Sequence, residues 1–105
     1  MTDSEKQVLD KAMQTWGFGG NFGMLVEECG ELLAAMNQLC RGRVDENAVI
    51  TELADVSLVL DAFASYFGYD KFAAERQRKL ERLQKRLDKI TDSKCNSDDL
   101  HSETC

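Results

Sequence analysis

The chain has 105 residues, of which 43% are hydrophobic and 30% charged, and carries a formal net charge of −6. That length holds one domain with a modest core, and the composition is that of an ordinary globular chain. The acidic balance argues against nucleic-acid backbone binding as the main role, and no apolar run approaches the roughly 20 residues of a membrane span. Proline is absent and β-branched runs are few, which favours long uninterrupted helices.

The N-terminus is polar and acidic, unlike a secretory signal, and Thr2, Ser4 and the Glu5 that follows offer helix N-cap chemistry. A first helix is predicted to run to about Trp16, with Val8, Leu9, Ala12, Met13 and Trp16 as its apolar face. Gly17-Phe18-Gly19-Gly20-Asn21 then reads as a loop, because glycine interrupts helical periodicity. Trp16, Phe18 and Phe22 flank it, either plugging the end of a small bundle or stacking on a nucleobase. Asn21 is placed to cap the next helix or to contact a ligand.

The second helix, ending near Cys40, carries Leu25, Cys29, Leu32, Met36 and Leu39 on one side. Glu27, Glu28 and Glu31 fall together on an adjoining stripe, with no basic residue three or four positions away to offset their repulsion. A hard divalent cation, which takes carboxylate oxygens, would offset it. Arg41-Gly42-Arg43 forms a short loop whose arginines either stabilise the helix C-terminus or meet a phosphate.

Asp45 or Asn47 opens a third helix running to Phe67, with Val49, Leu53, Val56, Leu60, Phe63 and Phe67 as its core line. Glu52 and Asp55 stand three apart on it, and Glu52 lies inside the apolar arc, where a carboxylate is costly unless paired, protonated or metal-bound. This helix is apolar nearly all round, which in so short a chain implies a subunit interface. Gly68 ends it, and Asp70 is expected to cap a fourth helix over about Lys71 to Ile90. There Phe72, Leu80, Leu83, Leu87 and Ile90 make a narrow apolar line beside a series of lysines and arginines. Residues 91–105 lack any period and read as a disordered polar tail. The four cysteines show no Cys-x-x-Cys spacing, and the single histidine, His101, lies in that tail, so zinc is poorly supported and a reduced, cytoplasmic setting is the natural one.

The carboxylates of the second and third helices therefore point to one shared metal site in an all-α, four-helix antiparallel bundle. A di-iron site would need Glu-x-x-His pairs, and no helix contains histidine, so all-oxygen ligation by Mg²⁺ or Mn²⁺ remains. Such cations activate water against a phosphoryl group, with a free carboxylate taking the proton.

Glu27-Glu28-x-x-Glu31, twenty intervening residues, then Glu52-x-x-Asp55 resembles the signature of the MazG-like all-α nucleoside triphosphate pyrophosphohydrolases. The flanking Leu25-Val26 and Thr51-Glu52-Leu53-Ala54-Asp55-Val56 look like that family's motif helices. Lys79-Leu80-Glu81-Arg82 followed by Arg86 is similar to its basic segment, so the likeness spans roughly residues 8–88. It implies a domain over residues 1–90 that assembles as a homodimer or homotetramer. It also implies Mg²⁺-dependent cleavage between the α- and β-phosphates of nucleoside triphosphates. By the resemblance, Glu28, Glu31, Glu52 and Asp55 hold metal, with Glu27 and Glu28 as catalytic carboxylates. Lys79, Arg82 and Arg86 meet the triphosphate, while Trp16, Phe18 and Asn21 are the candidates for contact with the rest of the nucleotide. Leu83 stands where relatives often carry asparagine. The alternatives are a non-catalytic, metal-binding helical interaction protein and a relative acting on nucleoside diphosphates or phosphoribosyl-ATP.

Overall fold

A computed structural model describes residues 1–93, and the regular structure within them is all helix: α1 (Asp3–Cys40), α2 (Glu46–Phe67) and α3 (Tyr69–Ser93), with no strand among the described residues. Met1–Gly68 forms one compact unit, and α3 belongs to the other. The expected tail begins later than position 91, since α3 continues to Ser93; the remainder of that expectation lies outside the described residues.

Local chemistry accounts for the helix ends. Thr2 is the N-cap of α1, its hydroxyl oxygen accepting from the Glu5 N–H at 3.1 Å. Asp45 does the same for α2, accepting from Asn47 and Ala48. At the far end of α1 the N–H groups of Gly42 and Arg43 return to the carbonyls of Leu39 and Gln38, with Gly42 at φ 71°. Gly68 closes α2, and α3 starts at once at Tyr69, so Asp70 lies inside the first turn rather than capping it. An acidic residue there still favours the helix N-terminus through its dipole.

The glycine-rich loop is corrected to a single non-helical residue. Only Gly17 leaves helical geometry, at φ 72° and ψ 177°, a region open essentially to glycine alone. Residues 18–21 are helical, because Gly19 and Gly20 need no special backbone and α1 resumes immediately. The bend is nevertheless sharp. The Asn21 side-chain amide donates to the Ala12 carbonyl at 3.2 Å and to the Gly17 carbonyl at 2.7 Å. Nine residues of straight helix would separate positions 12 and 21 by about 13.5 Å, so the two arms of α1 fold back on each other. The bend is also tight: a Cβ on Gly20 would come within 2.9 Å of Trp16 Cβ.

Partners along α2 give the directions of the arms. On the N-terminal arm Glu5, Val8 and Leu9 lie beside Leu58 and Asp61, Asp10 accepts from Ser65 at 2.7 Å, and Met13 and Gly17 lie beside Tyr66, so this arm rises with α2. On the C-terminal arm Phe18 meets Phe63, Tyr66 and Phe67, whereas Glu28 feels the charges of Glu52 and Asp55, so this arm descends. The first unit is thus three helical segments of alternating direction. Its buried apolar residues are few: Leu9, Met13, Val49, Val56, Ala62 and Ala64. Cys29, on the apolar side of the C-terminal arm, is half-buried. Many large apolar side chains stay outside, among them Leu33, Ile50, Leu58, Leu60 and Phe67.

Candidate metal centre

The descent of the C-terminal arm against α2 brings the two acidic motifs to one level. Glu28, Glu31 and Glu52 each present a carboxylate oxygen such that all three lie within 4.8 Å of one another. Glu28 and Glu31 share a face because they are three apart on one helix, and Glu52 faces them from α2. Glu28 and Glu52 are half-buried and Glu31 is exposed, so the cluster opens to water at one side.

The electrostatics are those of crowded like charges. Desolvation raises the Glu28 carboxyl above its ordinary value, followed by the charge of Glu31 and then that of Asp55. Glu52 is raised likewise, by desolvation first, then by Glu31 and Asp55. One oxygen on each of the two, Oε1 of Glu28 and Oε1 of Glu52, is shut away from solvent without a hydrogen-bond partner. A buried carboxylate oxygen left alone is costly, and a cation is the partner that would satisfy several at once. The donor set is all oxygen, which fits a hard divalent ion.

The remaining sequence-derived residues divide clearly. Asp55 is near enough to raise both Glu28 and Glu52 by its charge, although the tight trio does not include it. Glu27 is exposed on the same helix. Phe18 sits in a ring cluster, edge-on to Phe63 at 5.2 Å, Tyr66 at 5.7 Å and Phe67 at 6.2 Å, and is still exposed on its outer side. Trp16 and Phe22 are exposed. Asn21 is 2% exposed, and its amide is engaged by two carbonyls of the bend; it caps no following helix.

On α3, Glu75 pairs with Arg78 and Lys79, the latter at 3.7 Å, while Gln77 and Gln84 donate to Glu81 and Asp88. These are exposed neighbours and contribute little individually. Arg82, Lys85, Arg86 and Lys89 line a groove of about 350 Å³ and have no ion pair among the described residues. Lys79, Arg82 and Arg86 therefore lie on one helix, apart in sequence from the carboxylates.

The sequence reading missed the junction of Asp10, Lys6 and Ser65, where Asp10 accepts from both and its carboxyl is held below its ordinary value, chiefly by the Lys6 hydrogen bond. Asp10 one turn after Lys6 was the only sequence signal, and it does not name Ser65.

No family model, curated protein or solved structure matches this chain.

Proposed function

We propose that the chain is a Mg²⁺-dependent nucleotide pyrophosphohydrolase, cleaving (deoxy)nucleoside triphosphates between the α- and β-phosphates to give the monophosphate and pyrophosphate. The observation that carries this reading is the convergence of Glu28, Glu31 and Glu52 within 4.8 Å, two of them with a buried, unpartnered oxygen. The likeness of the two acidic motifs to the MazG-like family supplies the reaction.

Glu28, Glu31 and Glu52 would hold the metal, with Asp55, whose charge reaches Glu28 and Glu52, as the fourth carboxylate. Bound there, a divalent cation supplies a Lewis acid for the phosphoryl oxygens and lowers the pKa of water. Mn²⁺, with the same preference for oxygen ligands, is a workable substitute. Glu27, exposed beside the cluster, is the carboxylate left to orient the attacking water and accept its proton. Lys79, Arg82 and Arg86 are assigned to the triphosphate, whose charge they would offset. The exposed apolar side chains of α1 and α2 support assembly as a homodimer or homotetramer.

Incubation with a panel of nucleoside triphosphates and Mg²⁺, followed by product analysis, tests the reading. Monophosphate plus pyrophosphate, lost with chelator and lost in Glu52→Gln, is the expected result. Diphosphate plus phosphate would place the attack at the wrong phosphorus, and no product from any nucleotide would sink the assignment.

A further inference from the structure

The bend at Gly17 makes a second concavity, lined by Asp10, Met13, Gln14, Gly17, Phe18 and Tyr66, with a volume of about 390 Å³. That volume is within the ordinary range for small-ligand sites. We propose that this cavity is a guanine-recognition site separate from the carboxylate cluster.

Its walls supply both halves of base recognition. Phe18 and Tyr66 form an aromatic corner, their centroids 5.7 Å apart at 61°, and Met13 adds a soft apolar surface. On the polar side, Asp10 and Gln14 stand one turn apart on the same arm. Asp10 is fixed in place by hydrogen bonds from Lys6 and Ser65, one to each oxygen. A carboxylate has about four lone-pair positions, so each Asp10 oxygen keeps one to accept a further donor. Two adjacent N–H donors, the N1–H and N2–H₂ of guanine, match that fork, and the Gln14 amide, without a hydrogen bond among the described residues, donates to O6. Adenine and cytosine lack the paired donors. A site built around a hydrogen-bond pattern rejects bases that cannot complete it.

Position separates the two sites. Tyr66 lies fourteen residues beyond Glu52 on α2, about 21 Å along the helix. One nucleotide with its α-phosphate at the carboxylates does not reach the cavity with its base. The inference is therefore independent of the hydrolytic reading.

Calorimetric titration of the full chain with guanosine, inosine, adenosine and cytidine, in chelator so that no metal occupies the carboxylates, tests it. Guanosine is expected to bind, inosine about tenfold more weakly for want of one fork hydrogen bond, and adenosine and cytidine not measurably. Asp10→Asn, which turns an acceptor into a donor, should abolish guanosine binding, and Gln14→Leu should weaken it. Glu52→Gln should leave it unchanged. Circular dichroism establishes that each variant is folded; if Asp10→Asn does not fold, Gln14→Leu and the nucleoside series decide. No guanosine binding by the wild-type chain, equal binding of all four nucleosides, or binding lost in Glu52→Gln would each overturn the proposal.

Discussion

Replacing Asn21 by leucine is the sharpest probe of the bend on which both sites depend. The side chain is 2% exposed, and its amide donates to the carbonyls of Ala12 and Gly17 at 3.2 and 2.7 Å. Leucine keeps the branched shape but removes both donors, so the cost is that of two carbonyls losing the amide at a buried turn. Each such group costs about 1–3 kcal/mol, so the variant should lose about 2–6 kcal/mol. In a domain of this size 1 kcal/mol corresponds to roughly 4–8 °C in Tm, so the midpoint should fall by about 8 °C or more. Urea unfolding followed by circular dichroism in chelator measures this without interference from metal. A double-mutant cycle with Gly17→Ala adds a second readout: both residues hold one bend, so their effects should sum to less than the two separately. A loss below about 0.5 kcal/mol, the level of an ordinary surface change, would refute the claim that Asn21 fastens the two arms.

Other outcomes follow from the same geometry. Gly17→Ala alone should cost about 1–3 kcal/mol because φ 72° with ψ 177° excludes a Cβ-bearing residue, whereas Gly23→Ala, with open space around it and ordinary helical backbone, should gain about 0.5–1 kcal/mol. Glu52→Gln should raise the melting temperature of the metal-free protein, since it removes a desolvated charge from beside Glu31 and Asp55, while abolishing both Mg²⁺ stabilisation and turnover; a variant that melts lower and still hydrolyses would contradict both assignments. The pH dependence of the metal-free protein has a definite sign. Glu28 and Glu52 have carboxyls raised above 4.5 in the fold, so the native state binds more protons than the unfolded one between that value and neutrality. Stability in chelator should therefore increase as pH falls from 7 toward 5, and saturating Mg²⁺ should flatten or invert that slope by satisfying the same oxygens at neutral pH. A thermal melt series with and without Mg²⁺ reads this directly. Sedimentation at micromolar concentration tests the assembly inferred from the exposed apolar faces, and a stable monomer would remove it.

Much of this was already determined by local sequence. Thr2 and Asp45 cap helices because their side chains reach N–H groups two or three residues on, and Gly68 ends α2 by geometry available to glycine. That Glu28 and Glu31 share a face, and that Glu52 lies inside the apolar arc of its own helix, was readable because helical periodicity alone fixes which side chains share a face. What local sequence did not determine was how a run of glycines resolves. Three glycines in five residues permit a loop, but they equally permit one bent residue flanked by helix, and only long-range contacts choose between these. Here the choice rests on Asn21 reaching back nine residues to Ala12, on Trp16 packed against the space a Gly20 side chain would fill, and on Phe18 drawn into the rings of α2. The Trp16 contact is one turn away, but the Asn21 and Phe18 contacts lie beyond helical-neighbour spacing, as does the hydrogen bond from Ser65 to Asp10. The sequence by itself named the acidic residues; the tertiary fold decided that two of them would lose both water and partner, because burial depends on what the rest of the chain brings alongside.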